Sequence, residues 1–379
     1  IPVDTVKRVA INEITKDAVK AAVKKPSHID LNLVNAQQTR RILDRIVGYK
    51  ISPFMWKSIK SGLSAGRVQS VATKIIVDRE NEIRAFVPTE YWTIDAILAT
   101  GGGNTLTAHF YGTNEKKVPI ENGEQAADIV KRVDGNPFTA VSVKRSLRAK
   151  MPAPPFTTST MQQEASKRLG FQSARIMKAA QELYEGINVG AEFGGTHGLI
   201  TYMRTDSLRI SEEAQKAAAS FIREKYGDKY CPAKPRNYKS KANAQDAHEA
   251  IRPADVRIEP EKVKKYLTPD QYKLYKLIWD RFVASQMESA KLNSVAMDFE
   301  CSGYIFRSSG YTIAFPGYMA IYNDTEADES SEKRDGSEDG KNVKLPEVNE
   351  GELLKCKRID KAQHFTEPPP RYNEASLIK

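Results

Sequence analysis

The chain has 379 residues, enough for two or three domains with cores of their own, and its 40% hydrophobic and 28% charged content is that of a soluble protein with no apolar run near the roughly 20 residues that span a bilayer. The net charge is +10, and outside one acidic stretch (eight acids and two bases in 324–339) the chain holds 56 basic and 40 acidic residues, or +16, an excess that favours a polyanionic partner through counterion release. The three cysteines, Cys231, Cys301 and Cys356, are isolated and the five histidines are not at ligand spacing, which argues against a disulfide framework or zinc site and for a reducing, cytoplasmic setting.

The opening Ile1-Pro2-Val3-Asp4 has neither a starting methionine nor the basic and apolar regions of a signal peptide, so the chain reads as an excised piece. Residues 1–87 read as helical. A first helix is expected near Asn12 to Lys25, stopped by Pro26. A second is expected to begin at Asn35 as N-cap and to end at Gly48. On the second, Ile42, Leu43, Ile46 and Val47 share one side, and Gln37, Arg40, Arg41 and Asp44 lie opposite within an arc of about 100°. That polar arc is either a solvated face or a phosphate-contacting one. Leu63-Ser64-Ala65-Gly66-Arg67-Val68-Gln69-Ser70 opens a third helix, with Val68, Val71, Ala72, Ile75 and Ile76 at helical spacing. Its small-residue entry leaves the first backbone N–H groups open to an anion, though the same pattern also describes a plain capped helix.

From Tyr91 the period changes to two. Trp92, Ile94, Ala96 and Leu98 alternate with polar residues, and strand-like runs follow at Leu106 to Tyr111 and Phe138 to Lys144. After Pro152 to Pro155, a helical block begins at Thr157-Thr158-Ser159, with one helix ending at Gly170 and the next running from Ser173 to Gly186. Ser211, Glu212 and Glu213 open a helix closed by Gly227, and Thr268-Pro269-Asp270 opens another with Tyr275, Ile278, Trp279 and Phe282 as its core stripe. Alternation returns at Val295, Met297, Phe299 and Cys301, then at Tyr304 to Phe306, Tyr311 to Phe315 and Leu353 to Ile359. Residues 324–342 are acidic and poor in apolar residues, which reads as a disordered loop. Asn373 to Lys379 begins a helix. The two β stretches flank the helical block, so one β domain with a helical insertion is expected.

Gly198-Leu199-Ile200-Thr201-Tyr202-Met203-Arg204-Thr205-Asp206-Ser207 holds the most concentrated chemistry. Leu199 to Met203 reads as a short strand, in which Tyr202 and Arg204, two positions apart, project to one face. A phenol with a pKa of about 10 is a poor nucleophile at neutral pH, and a fixed guanidinium both favours the phenolate and holds a phosphoryl group. On these grounds alone Tyr202 is either a nucleophile or one of the 16 tyrosines packed for bulk, and Arg204 could simply pair with Asp206.

GLITYMRTDS resembles the active-site tyrosine segment of the type IA DNA topoisomerases, and of the bacterial branch in particular. LSAGRVQS and NAQQTRRILDRIVGY resemble the same family's strand-holding segments, PPFTTSTMQQEA the start of its tyrosine domain, and QDAHEAIRP a motif near its scissile phosphate. The resemblance implies an α+β multidomain fold. Residues 1–87 would be a helical single-strand-binding region, 88–152 plus 286–368 a discontinuous β-rich arch, 153–285 the inserted helical domain carrying the tyrosine, and 369–379 the start of a further helical segment. It implies catalytic roles for Tyr202, which would bond to a 5′ phosphate, for Arg204 and for His248. It implies DNA contacts from Gln37, Arg40, Arg41, Asp44, Tyr49, Ser64, Gly66, Arg67, Gln69, Ser70, Asp206, Glu249 and Arg252. The partner implied is single-stranded DNA, at the nucleoid, with no membrane and no ATP. The family's Mg²⁺ ligands lie in an N-terminal TOPRIM domain not found in this sequence, so no metal site is expected here. Asp78, Glu80 and Glu82 mimic an acidic triad, but at helical spacing they do not share a face. The chain is therefore expected to bind single-stranded DNA while cleaving it poorly by itself. The rival from residues alone is a basic helix–turn–helix protein without chemistry, resting on the short spacing of the two helices after Thr157.

Overall fold

The structure is a computed structural model that describes residues 5–9, 16–238, 249–322 and 343–378. It combines helices with a large antiparallel sheet.

The N-terminal helices are α1 (Lys16–Lys24), α2 (Leu31–Ser58) and α3 (Arg67–Ala85). Residues 12–15, expected at the start of α1, lie outside the described residues. Helix α2 corrects the expected ends. It starts one turn earlier, because the Asp30 carboxylate accepts from the amides of Asn32 and Leu33, and it runs past Gly48 and through Pro53. Gly48 is a helix-interior residue here; a glycine only permits a stop, and none is made when the following residues, Tyr49 to Ser58, continue the ladder. The connection to α3 folds back on α2. Trp56 donates its indole N–H to the Leu63 carbonyl, Ser52 Oγ accepts from the Ala65 amide at 3.0 Å, and Asp44 pairs with Arg67 at 3.2 Å. No residue of α3 is buried and Ser52 alone is buried in α2, so Ile42, Leu43, Ile46, Val68 and Val71 all stand exposed.

Strands β1 (Glu90–Ala99) and β2 (Thr105–Thr113), helix α4 (Gly123–Val133) and strand β3 (Phe138–Lys150) come next. After the helical block come β6 (Ala290–Cys301), β7 (Tyr304–Phe315) and β8 (Leu353–Phe365), the numbers β4 and β5 belonging to a two-strand pair within that block. All six strands close into one antiparallel barrel in the order β1-β2-β7-β6-β3-β8. The alternation seen from Trp92 onward is realised: Ile94, Ala96 and Leu98 point inward, to meet Leu106, Phe138, Met297, Phe299 and Phe306. Helix α4, absent from the sequence reading, plugs this core with Ala126, Ile129 and Val133, its N-terminus capped by the Asn122 side chain. Several strands outrun the core. In β3, residues 144–149 are exposed on both faces while still paired with β6. The Glu90–Phe365 end of β1 and β8 lies beside the chain's entry from α3. The barrel thus joins the helical parts through two ribbon legs.

The second core is helical, built by α5 (Thr158–Leu169), α6 (Ser173–Glu185), α7 (Glu212–Tyr226), α8 (Pro260–Val263) and α9 (Pro269–Gln286). Their ends follow local rules. Thr157 and Thr268 cap α5 and α9 with reciprocal hydrogen bonds, and Gly170 ends α5 at φ 65°. Helix α9 buries most of its length, Tyr275 donating to the Ile258 carbonyl at 2.6 Å and Trp279 to that of Val256 at 2.9 Å. Each large side chain buried there contributes about 1.5–3 kcal/mol. Between α6 and α7 lie β4 (Ile187–Asn188) and β5 (Thr196–His197).

After β8 the chain crosses back and links the helical parts. Arg79 of α3 donates to the Pro370 carbonyl and the Tyr372 hydroxyl, both at 2.9 Å, with its guanidinium 4.3 Å from the Tyr372 ring. Arg371 pairs with Glu80 and holds that carboxyl below its usual range. At the other end, Glu374 accepts from the Ser173 amide at 2.8 Å, capping α6. The expected helix start is a single stretch, Glu374–Ile378. Asp78 pairs with Lys74 and Glu82 with Arg79, so the three acids of α3 serve three different cations. The acidic stretch 324–342 lies outside the described residues.

Candidate active site

Tyr202 is not on a strand. The expected strand from Leu199 to Met203 is replaced by irregular backbone, whose regular pairing is one bridge between Ile200 and Pro253. The physical reason is that its partners come from several elements. Leu199 donates to Leu183 of α6 at 2.7 Å, Thr201 to Arg252 at 2.9 Å, and Thr158 of α5 donates its amide to Thr205 at 2.9 Å. No single neighbour runs alongside for long enough to build a ladder.

Buried and part-buried hydroxyls make up the difference. Thr201 Oγ1 donates to the Ala250 carbonyl at 2.7 Å and accepts from the Arg252 amide at 3.0 Å. Thr158 Oγ1 donates to the Met203 carbonyl at 2.8 Å and accepts from the Thr205 amide at 2.8 Å. Thr205 and Ser207 each accept from the amide two residues on, at 3.0 and 3.2 Å. Thr201, Met203, Thr205 and Ser207 are buried, whereas Arg204 and Asp206 are exposed and Tyr202 is half-buried against the helical core. The segment therefore keeps a two-residue alternation, with Arg204 and Asp206 exposed and Tyr202, on the same side, partly covered by the helical core. Among the described residues Arg204 forms no ion pair, with Asp206 or any other acid.

Glu249 and Arg252 are directed inward. They are 8% and 5% exposed and pair with each other at 2.9 Å. Glu249 also accepts from the Ser211 amide at 3.3 Å, at the start of α7, and Arg252 donates to the Pro253 carbonyl at 3.0 Å. In this structure both charges are enclosed by the protein, and Arg252 belongs to the segment to which Thr201 is bonded. His248, with Gln245 to Ala247, lies outside the described residues.

The remaining candidates are on α2, α3 and their connection. Gln37, Arg40, Arg41, Ser64, Arg67, Gln69 and Ser70 are exposed, and Tyr49 is 78% exposed. Asp44 joins the two sequence motifs through its pair with Arg67. Gly66 is the N-cap of α3 in extended backbone and supplies no side-chain cap, and a Cβ there would meet Gln69 Oε1 at 2.3 Å. The sequence reading missed Thr158, Thr201 and Tyr184. The hydroxyls carry no signature beyond their place inside the motifs PPFTTST and GLITY, and Tyr184 only that of a tyrosine at the end of a helix. No group of three or more His, Cys, Asp or Glu side chains that would hold a metal occurs among the described residues, and no described helix is long and apolar enough to cross a membrane.

A family model described as DNA topoisomerase matches residues 28–379. Among solved structures, full-length topoisomerase I from Thermotoga maritima is similar at 38% sequence identity and a TM-score of 0.78, over 98% of this chain. The chain spans 57% of the length of that relative. A shared fold at this identity, with motifs in the order the resemblance requires, leads to one conclusion: the chain belongs to the DNA topoisomerase family, in its bacterial type IA branch.

Proposed function

We propose that this chain is the strand-holding and strand-cleaving part of a type IA enzyme that relaxes negatively supercoiled DNA. In this reading the Tyr202 phenol oxygen attacks a phosphodiester of an unpaired strand. A bond forms between that oxygen and phosphorus, the bond from phosphorus to the 3′ oxygen breaks, and the 3′ oxygen takes a proton. The strand's 5′ phosphate is then held on the tyrosine until the 3′ oxygen attacks in reverse. Because the ester conserves the bond, no ATP is required. Arg204, exposed and without an ion pair among the described residues, would steady the charge developing on the phosphoryl oxygens.

The observation that carries the reading is the locked segment. A half-buried tyrosine stands two residues before an exposed arginine, and the backbone on either side of the tyrosine is pinned by the part-buried hydroxyl of Thr158 and the buried hydroxyl of Thr201. Such fixing lowers the entropy to be lost in reaching an attack geometry. Basic and aromatic side chains of α2 and α3 would follow the strand: Arg40 and Arg41 on phosphates, Tyr49 on a base, and the open amides at Gly66 and Arg67 on a further phosphate. The barrel and its legs would act as the arch that swings to admit a second strand, in a cytoplasmic, nucleoid-associated enzyme. A proton for the 3′ oxygen and any Mg²⁺-assisted rejoining would be supplied by the rest of the enzyme. The chain alone would bind single-stranded DNA and cleave it poorly. A relaxation assay of the full-length protein with Tyr202→Phe tests the reading. Loss of relaxation with oligonucleotide affinity retained is expected, and relaxation at the wild-type rate would end the proposal.

A further inference from the structure

We propose that Tyr184, on the last turn of α6, is a positioning residue whose ring holds the Tyr202 ring edge-on and so sets the heading of its phenol oxygen. The inference rests on the reading of Tyr202 as nucleophile.

The two rings lie with centroids 5.4 Å apart and planes at 66°, the edge-to-face arrangement that aromatic quadrupoles favour. The residue before Tyr184 fixes the backbone of the same segment, since the Leu183 carbonyl accepts from the Leu199 amide at 2.7 Å. One helical turn therefore sets both the path of the chain into Tyr202 and the orientation of its side chain. That turn is itself packed in place. Ile176, Ala179, Ala180 and Leu183 anchor α6 in the helical core. Gly186, at φ +122°, ends the helix against the His197 backbone, where a Cβ would meet the His197 carbonyl carbon at 3.3 Å.

The hydroxyl clamps act on the backbone, whereas the Tyr184 ring acts on the side chain. A tyrosine side chain has two torsions, and attack on phosphorus requires the oxygen within a narrow range of distance and angle. Tyr184 is suited to the task. Burial pushes its own phenol up in pKa, and the neighbouring Tyr202 pushes it the same way, so Tyr184 itself stays neutral.

The test uses the full-length protein with a single-stranded oligonucleotide. Single-turnover formation of the covalent adduct is measured beside oligonucleotide Kd and Tm, for wild type, Tyr184→Phe and Tyr184→Leu. Loss of the aromatic pair in the leucine variant is expected to slow adduct formation about three- to tenfold with Kd unchanged, and the phenylalanine variant, which keeps a ring, to restore the rate within about twofold. Tyr184→Met, which fills similar space without a ring, takes the leucine variant's place if that variant does not fold. A ring-free variant forming adduct at the wild-type rate, or a phenylalanine variant as slow as the ring-free one, would overturn the positioning role. Tyr202→Phe is run alongside, and an adduct persisting in that variant would instead remove the nucleophile reading beneath it.

Discussion

Replacing Thr201 by valine preserves its shape and removes one hydroxyl. That hydroxyl, on a residue 1% exposed, donates to the Ala250 carbonyl and accepts from the Arg252 amide. The amide has one hydrogen to place and loses its acceptor inside the protein, while the carbonyl loses a donor but retains a second lone pair. A buried polar group left unpaired costs about 1–3 kcal/mol, with the amide at the upper end and the carbonyl adding less. A total of about 2–3 kcal/mol is expected, equivalent to a fall in Tm of roughly 3–4 °C for a cooperative unit the size of the whole chain. Urea denaturation followed by tryptophan fluorescence measures it, with Thr201→Ser as the control that keeps the hydroxyl and stays near wild type. A valine variant within about 0.5 kcal/mol of wild type would refute the claim that this hydroxyl locks the segment carrying Tyr202.

Three further outcomes follow from the same geometry. Arg252→Ala leaves the Glu249 carboxylate buried without its cation and is expected to cost about 3–5 kcal/mol, while Arg252→Met with Glu249→Gln recovers much of it; a double-mutant cycle by denaturation checks the coupling. Burial pushes the Tyr238 phenol up to about 12, whereas an unfolded tyrosine ionises near 10. A raised folded value means that the stability this group contributes is intact below pH 10 and lost as pH rises from about 10 to 12. Tyr238→Phe should flatten that part of the Tm–pH curve, and an unchanged curve would contradict the assignment. Tyr49→Ala is expected to weaken single-stranded oligonucleotide binding by about 1–3 kcal/mol, measured by fluorescence anisotropy at fixed salt, with duplex affinity nearly unchanged. Equal losses on single strand and duplex would favour a non-catalytic duplex-binding protein.

Local rules made much of this fold legible in advance. The caps at Thr157, Ser211 and Thr268 and the stops at Gly170 and Gly227 stand where the sequence puts them, because each depends on a few neighbouring residues. The inward residues of β1 are readable for the same reason: side chains alternate along any strand. Gly48 shows the limit, since a glycine is compatible with both a helix stop and a helix interior. The strand expected at Leu199 to Met203 fails for a different reason. Its apolar, β-branched composition is satisfied by burial of Leu199, Ile200 and Met203, but what pairs with its backbone is set by Thr158 and residues 250–254, some 45 to 50 positions away. The sequence likewise does not tell that Glu249 and Arg252, taken there as DNA contacts, pair with each other inside the protein. The segment still alternates, with Thr201, Met203 and Thr205 buried and Arg204 and Asp206 exposed, although hydroxyl bonds rather than a strand produce it.

The most direct measurement is to trap the covalent complex of the full-length protein with a single-stranded oligonucleotide labelled at its 3′ end, digest it, and map the labelled peptide by mass spectrometry. The account predicts one modified residue, Tyr202, carrying a 5′-phosphorylated strand. A nucleotide on any other side chain, or a strand joined through its 3′ phosphate, would contradict it.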